Sequence, residues 1–229
     1  MLKLMQDMST CVRTDLMSVL LSRSSVDPKT LVMPGPSTDE IVSMIAAALA
    51  APDHSALRPS RFILIEGEGR LQLSQAFVAI RKRASARVGG SGLARTWRKT
   101  LRAPTLVGVV ARLTRGHPKV PVHEQYVSVG AAVQSILLAA HALGYGAILL
   151  SGSRSRDPLV RDLLALSDNE EMIGFISMGT PSKKIPPKIR PSARAHLAVW
   201  HGNESEAPSK SASWSGIDRA VRGELISPR

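Results

Sequence analysis

The sequence has few of the residues that define several common classes of protein. Its one cysteine, Cys11, excludes an internal disulfide and a zinc site built from several thiolates. Only 3% of the residues are aromatic, so the chain has little material for the stacking surfaces that bind single-stranded nucleic acid. No apolar run is long enough to span a bilayer, because even residues 127–150 contain Gln134 and His141. We therefore expect neither a membrane partner nor a nucleic-acid partner.

The sequence also lacks the usual markers of export, of metal binding and of a protein nucleophile. Its N-terminus has no basic region followed by an apolar block and a small-residue cleavage site, so a cytoplasmic location is expected. The six histidines include no His-Glu-x-x-His pair, so no metal is expected. No Gly-x-Ser-x-Gly elbow is present, since Ser151-Gly152-Ser153 has the wrong spacing.

What the chain does have is a globular composition with an excess of positive charge. Of its 229 residues 44% are hydrophobic, and 30 Lys and Arg against 18 Asp and Glu give a net charge of +12 at pH 7. Eight of the basic residues lie within residues 81–102, which contain no acidic residue. A solvated surface is the simplest interpretation of this segment, but it is also a candidate lid whose charge could attract phosphorylated NADPH.

Hydrophobic periodicity and turn residues predict an α+β chain. Helices are expected over residues 15–21, 37–50, 69–80, 122–143 and 157–166, and strands over residues 62–65, 104–110, 147–150, 172–178 and 195–200. Residues 81–100 read as a mobile helical excursion that is broken at residues 89–92 by glycines. We expect an N-terminal extension over residues 1–14, one domain over residues 15–202, and a Ser/Pro-rich tail over residues 203–229 that is disordered.

Six motifs in a fixed order resemble the FMN-dependent nitroreductases, in particular the small single-domain branch of NAD(P)H nitroreductases. They are Leu-Leu-Ser-Arg-Ser-Ser-Val (20–26), Ala-Ala-Pro-Asp-His-Ser-Ala-Leu-Arg-Pro (50–59), residues 62–70, the central segments 119–125 and 128–134, Gly-Tyr-Gly-Ala (144–147), and Gly-Phe-Ile-Ser-Met-Gly-Thr-Pro (174–181). Each motif alone is weak, but the six in this order are specific. The resemblance covers residues 20–200.

The resemblance implies a three-layer sandwich in which helices flank a mixed, mostly antiparallel sheet, and an intertwined homodimer. It also implies that FMN carries the chemistry, with no catalytic side chain, and passes hydride from NADH or NADPH to a nitroaromatic or quinone-like acceptor. Nine residues are then expected to bind the cofactor: Arg23, Ser24, Ser25, His54, Arg58, Leu149, Leu150, Ser151 and Lys184, with Lys183 as a substitute for Lys184. An arginine fork beside two hydroxyls, as in residues 23–25, suits the phosphate of FMN. The arm 181–191 and the strand 195–200 are the elements expected to be exchanged in the dimer.

The chain departs from this family at two places that bear on the site. Ser60 stands where an aromatic residue is expected, and Leu149-Leu150 stands where related chains have Trp-Arg. Loss of a ring-stacking aromatic residue and of a cationic side chain near the cofactor could weaken the binding of FMN or of the nicotinamide, or open the pocket to a different substrate. The two departures leave open a second interpretation, in which a catalytically altered protein of this fold serves as a flavin-binding module or as a module for anionic ligands or nucleic acid.

Overall fold

The computed structural model describes residues 16–85, 87–186 and 188–200, and these divide between residues 187 and 188 into two units. The first unit contains a five-stranded sheet in which every strand pairing is antiparallel. Its strands are β1 (Leu31–Val32), β2 (Ser60–Leu64), β3 (Thr105–Arg112), β4 (Gly146–Leu150) and β5 (Glu170–Pro181). The long strand β5 pairs with β1, β3 and β4, and β2 pairs with the far side of β3.

Helices lie on both faces of this sheet. The helices of the described chain are α1 (residues 16–22), α2 (Thr38–Leu49), α3 (Gly67–Ala84), α4 (Gly90–Leu101), α5 (Val122–Ala142) and α6 (Pro158–Leu163). One core cluster joins α2 and α5 to one face of the sheet, and another joins α3 and α6 to the opposite face. Strand β3 serves both clusters, since Val107 and Val109 face the first and Leu106 and Val110 the second. The predicted three-layer α+β sandwich is confirmed.

Local sequence signals account for most element boundaries. Ser37 caps α2 in a capping box, in which its hydroxyl accepts from the backbone of Glu40 while that carboxylate accepts from the backbone of Ser37. Asp157 caps α6, which opens on Pro158. The predicted strands at 62–65, 104–110, 147–150 and 172–178 correspond to β2 to β5, whereas the two-residue β1 was not predicted.

One prediction about secondary structure is displaced and another is wrong. The helical segment is interrupted as predicted, but the break lies earlier than residues 89–92: α3 ends at Ala84, and α4 begins at Gly90 with Gly89 as its N-cap and Gly92 in its first turn. Residues 195–200 do not form a strand, because Ala193–His196 is a 3₁₀ turn and residues 197–200 have no regular structure. A strand needs a neighbour to pair with, and within the described residues none pairs with this segment.

Three other sequence features concern residues near the ends of the chain. The extension 1–14, with Cys11, and the tail 203–229 lie outside the described residues. The domain boundaries at 15 and 202 stay predictions.

Among the described helices, none combines the length and the apolar character that crossing a bilayer requires.

Candidate functional site

The segment that follows α1 runs beside the start of β4. Ser25 forms a parallel bridge with Ala147, and the backbone N–H of Val26 donates to the Ala147 carbonyl over 3.2 Å. This approach depends on Gly146, where a Cβ atom would lie 2.7 Å from a methyl carbon of Leu31. The half-buried Arg23 and the buried Ser24 are thereby held next to the first residues of β4.

A cavity of about 460 Å³ lies at this start of β4, and we call it the lysine cavity. Its polar lining includes Ser24, Tyr145, Thr180, Lys183 and Lys184. The described lining contains no carboxylate, and the two ammonium groups and the Ser24 hydroxyl provide hydrogen-bond donors with positive charge. The Thr180 hydroxyl is already engaged, since it donates to the Pro34 carbonyl over 2.7 Å. A small anion with several acceptor oxygens, such as a phosphate monoester, fits this donor set.

Tyr145 forms a fixed wall of the lysine cavity. Its hydroxyl donates to the carboxylate of Glu40 over 2.9 Å, and this hydrogen bond raises the pKa of Tyr145. The pKa of Glu40 is lowered by the hydrogen bond from the Ser37 backbone and by the bond from Tyr145. Because Glu40 is held by the capping box of α2, Tyr145 stays protonated with its hydroxyl directed to that helix end.

A second cavity, of about 370 Å³, lies at the opposite end of β4, and we call it the hydroxyl cavity. Leu150 and Ser151 line it from β4 and the loop that follows. Its other polar side chains come from α4, from the 3₁₀ turn Ser153–Arg156 and from β5: Thr96, Lys99, Thr100, Ser153, Arg154, Ser155 and Ser177. Gly174 allows the strands to meet closely here, since a Cβ atom there would lie 2.7 Å from the Leu150 carbonyl oxygen.

The two cavities lie at the two ends of one short strand. At about 3.3 Å per residue, the five residues of β4 place its ends roughly 13 Å apart. Four of the nine predicted cofactor residues line one of these cavities, with Ser24 and Lys184 at the start of β4 and Leu150 and Ser151 at its end. Ser25 is the backbone neighbour of β4 between them.

Leu149 differs from Leu150 and Ser151, the two predicted cofactor residues that follow it. It lies opposite Ile176 in the β4–β5 pairing and packs against the core cluster beneath α2 and α5. Because side chains alternate along a strand, Leu149 and Leu150 point to opposite faces of the sheet. Leu149 therefore belongs to the core, and it lines neither the lysine cavity nor the hydroxyl cavity.

His54 and Arg58 lie on a separate loop between α2 and β2. The Asp53 carboxylate accepts hydrogen bonds from the backbone of Leu57 over 3.2 Å and of Arg58 over 2.6 Å. Ser55, Ala56 and Arg58 all have positive φ angles, between 50° and 62°, so this carboxylate stabilises a strained turn. Within one chain, Arg58 lines a small pocket with Asp53, Pro59 and Ser60, away from both larger cavities.

The exposed side chain of His54 has a partner on another element. Its Nδ1 lies 2.8 Å from a carboxylate oxygen of Glu124 in the first turn of α5. This contact ties the strained loop to α5. The structure of one chain therefore does not bring His54 and Arg58 together with the seven other predicted residues.

Several cavity residues were not singled out from the sequence. Lys99 was only one of eight basic residues in the segment 81–102, and Thr180 and Tyr145 were only parts of motifs. The run Ser153-Arg154-Ser155-Arg156, polar and directly after a buried strand, was the one local signal that could have pointed to the hydroxyl cavity. Among the described residues, no group of three or more His, Cys, Asp or Glu side chains is placed to hold a metal ion.

Comparison with known proteins gives a consistent result over most of the chain. The model of the nitroreductase family matches residues 21–180. The "putative NAD(P)H nitroreductase YdjA" of Escherichia coli (strain K12) is 33% identical over 177 residues, which are 76% of this chain and 93% of that protein. A second such protein, from Haemophilus influenzae, is 30% identical over 77% of this chain and 94% of its own length.

Solved structures resemble the fold at lower sequence identity. The crystal structure of a nitroreductase-like family protein from Bacillus cereus has a TM-score of 0.69 at 21% identity, and the match covers 82% of this chain and 96% of that chain.

Proposed function

This chain is an oxidoreductase of the nitroreductase family, and we propose that it uses FMN to transfer hydride from NADH or NADPH to a nitroaromatic or quinone-like acceptor. Bound FMN would supply the chemistry, since its ring accepts a hydride and returns two electrons to the acceptor. The protein would hold the cofactor, position the two substrates and exclude water. No side chain is assigned as a nucleophile or as a general acid or base.

The observation that carries this proposal is the lysine cavity. Arg23, Ser24 and Ser25 would hold the phosphate from the segment after α1, and Lys184 would hold it from the end of β5. Lys183 lines the same cavity and can share this role. A phosphate dianion would meet two ammonium groups and the Ser24 hydroxyl here and no lining carboxylate, which is the charge balance that phosphate binding needs.

We place the flat ring of the cofactor at the C-terminal end of β4. Leu150 and Ser151 would border the ring from this end, beside the hydroxyl cavity. Leu149, which lies in the core, would act indirectly by fixing the position of β4. This differs from the expectation that Leu149 itself lines the cofactor.

We further propose a homodimer in which the second copy completes the site. His54 and Arg58 lie away from the lysine cavity of their own chain, so they could approach a cofactor only from a partner chain. Exposed apolar side chains on α2 and α5, among them Val42, Leu49 and Val127, support such an interface. The cytoplasmic location and the choice between NADH and NADPH stay predictions.

The visible absorption spectrum of the purified chain tests the proposed cofactor. We expect flavin bands, release of FMN on denaturation as identified by mass, and anaerobic bleaching by NADH or NADPH. The paired variant Lys183→Gln/Lys184→Gln is expected to weaken FMN binding by about thirtyfold, since each of the two charged contacts to a phosphate contributes roughly 1 kcal/mol at a partly exposed site.

A matched control removes the same kind of charge elsewhere. Lys119→Gln, in an exposed loop before α5, is expected to leave FMN binding unchanged. A colourless chain that also fails to take up added FMN would contradict the proposal. In that case the altered-module interpretation would take its place, and steep salt dependence of binding to random-sequence DNA would identify the nucleic-acid form of it.

A further inference from the structure

The hydroxyl cavity has an unusual balance of charge. Lys99 lines it from α4 and Arg154 from the 3₁₀ turn after β4, and its described lining contains no acidic residue. Within the described chain, no carboxylate lies at ion-pair distance from either cation. The acid nearest in sequence to Arg154, Asp157, is engaged by Arg83 and by the backbone of Leu159. The cavity therefore has two positive charges in its lining, both on exposed side chains, and no lining carboxylate faces them.

The aromatic side chains of the same cavity suit a flat ring. Phe77 and Phe175 line it and contact each other edge to face, with their ring centroids 5.8 Å apart and an interplanar angle of 88°. Phe175 and Leu106 are buried, so this wall belongs to the core and is rigid. An aromatic ligand in the cavity would gain apolar contact on this side.

Buried residues with hydroxyl groups also line this cavity. They are Thr96, Thr100 and Ser177, each at least nine-tenths buried. The Thr96 hydroxyl donates to the Gly92 carbonyl over 3.1 Å, so its oxygen can still accept a hydrogen bond from a ligand. Hydroxyls of this kind orient a polar group without adding charge.

We propose that the acceptor reduced by this protein is a nitroaromatic acid, whose ring packs on Phe77 and Phe175 and whose carboxylate pairs with Lys99 and Arg154. Its nitro group would take up two electrons, supplied by NADH or NADPH through the flavin, and two protons, and so become a nitroso group with release of water. The inference rests on the proposed function, since it names the acceptor class for that reaction. Leu150 and Ser151, which would border the cofactor ring, line the same cavity, so a ligand bound there would lie next to the group that would reduce it. A neutral acceptor of the same shape forms the ring contacts and lacks the ion pairs.

Two isosteric probes, 4-nitrobenzoate and 4-nitrobenzamide, separate charge from shape. With the FMN-loaded full chain we expect the KM for 4-nitrobenzoate to be about tenfold lower than that for 4-nitrobenzamide. Lys99→Gln and Arg154→Gln should each raise the KM for the acid about fivefold and leave the KM for the amide within about twofold. Lys99→Arg, which keeps the charge, should retain most of the preference.

Binding without turnover provides a second readout. Isothermal titration of benzoate and of benzamide, with FMN-loaded and cofactor-free chain, should give a lower Kd for benzoate that rises in Lys99→Gln and Arg154→Gln. The preference should shrink as NaCl is raised, because salt screens charges near the surface. Lys119→Gln, which removes a charge that is not part of the cavity lining, should change neither ligand's affinity.

Specific results overturn this inference. One is equal affinity of the wild-type chain for benzoate and benzamide. The other is an equal loss of affinity for both ligands in Lys99→Gln and Arg154→Gln. Failure of the proposed function has a different signature, since the flavin would then be absent or would not bleach with either nicotinamide. Benzoate binding that depends on Lys99 would still support an aromatic-acid site in that case.

Discussion

At the scale of single residues, the most demanding ionic contact lies at one edge of the sheet. Glu170, only 4% exposed at the start of β5, accepts hydrogen bonds from the Arg61 guanidinium over 2.7 and 2.9 Å and from the Ser167 backbone over 3.1 Å. Arg112, opposite Glu170 in the β3–β5 register, lies 3.4 Å away. Although burial alone raises the pKa of Glu170, the hydrogen bonds from Arg61 and Ser167 lower it overall. The contact links strands β2, β3 and β5.

Glu170→Gln is expected to lower the free energy of unfolding by about 2 kcal/mol at pH 7, because it leaves two guanidinium groups beside a neutral side chain. The lowered pKa of Glu170 means that its ionised form stabilises the folded chain at pH values above its ordinary 4.5. This contribution is lost as the pH falls through the folded-state pKa. Urea titrations at pH 7 and at several values below 4.5 should therefore show the difference between wild type and variant shrinking.

A surface ion pair provides the control for Glu170→Gln. Asp168 pairs with Arg161 over 2.7 Å and is fully exposed, so Asp168→Asn should change stability only slightly. An equal loss of stability in the two variants would contradict the role given to Glu170.

At the scale of elements, polar contacts hold α4 to α3, and no pattern in the sequence of α4 predicts them. Arg70 of α3 donates to the carbonyls of Thr100, Ala103 and Pro104 over 2.6 to 3.1 Å, and so satisfies backbone groups at and just beyond the end of α4. The hydroxyl of the buried Ser74, also on α3, donates to the Trp97 carbonyl over 2.8 Å. These contacts fix a segment that composition alone, rich in glycine and basic residues, predicts to be mobile.

Arg70→Met is expected to lower the free energy of unfolding by about 2 kcal/mol, since it removes three hydrogen bonds to carbonyls that are partly buried. The loss should be concentrated in α4, whose amide protons should exchange faster than those of α5 in native-state hydrogen exchange. Arg81→Met, an exposed position in the last turn of α3, is the control and should change neither quantity. Uniform acceleration of exchange across all helices would contradict a local role for Arg70.

At the scale of the whole molecule, the net charge of +12 and the exposed apolar side chains point to different partners. Positive charge that lines the cavities is suited to anionic ligands, as at Lys99, Lys183 and Lys184. The apolar side chains are suited to another protein surface. On α5 the exposed residues Val127, Gly130 and Gln134 follow helical spacing, and the glycine lets a partner helix approach closely.

Sedimentation equilibrium tests the proposed homodimer. We expect the wild-type chain to have twice the mass of one polypeptide, and Val127→Glu to shift it to the monomer, because a carboxylate would be buried without a partner. Val127→Thr keeps the shape of the side chain and should stay dimeric. A wild-type monomer at micromolar concentration with a full complement of FMN would contradict both the dimer and the role of a second copy at the site.

Much of the fold was determined by the sequence alone, because the signals that define it are local. Apolar runs bounded by glycine and proline located β2 to β5, and the capping residues Ser37 and Asp157 located the starts of two helices. The order of six motifs was enough to place the chain in its family. Signals of this kind depend on residues within a few positions of one another.

Only the tertiary structure decided how the candidate site is assembled. It brings Ser24 and Lys184, 160 positions apart, to one cavity, and joins Lys99 and Arg154 at another. It also separates residues that are adjacent in the chain, since the alternation of β4 directs Leu149 into the core and Leu150 toward the hydroxyl cavity. Such outcomes depend on strand register and on the packing of helices onto the sheet, and no local pattern records either one.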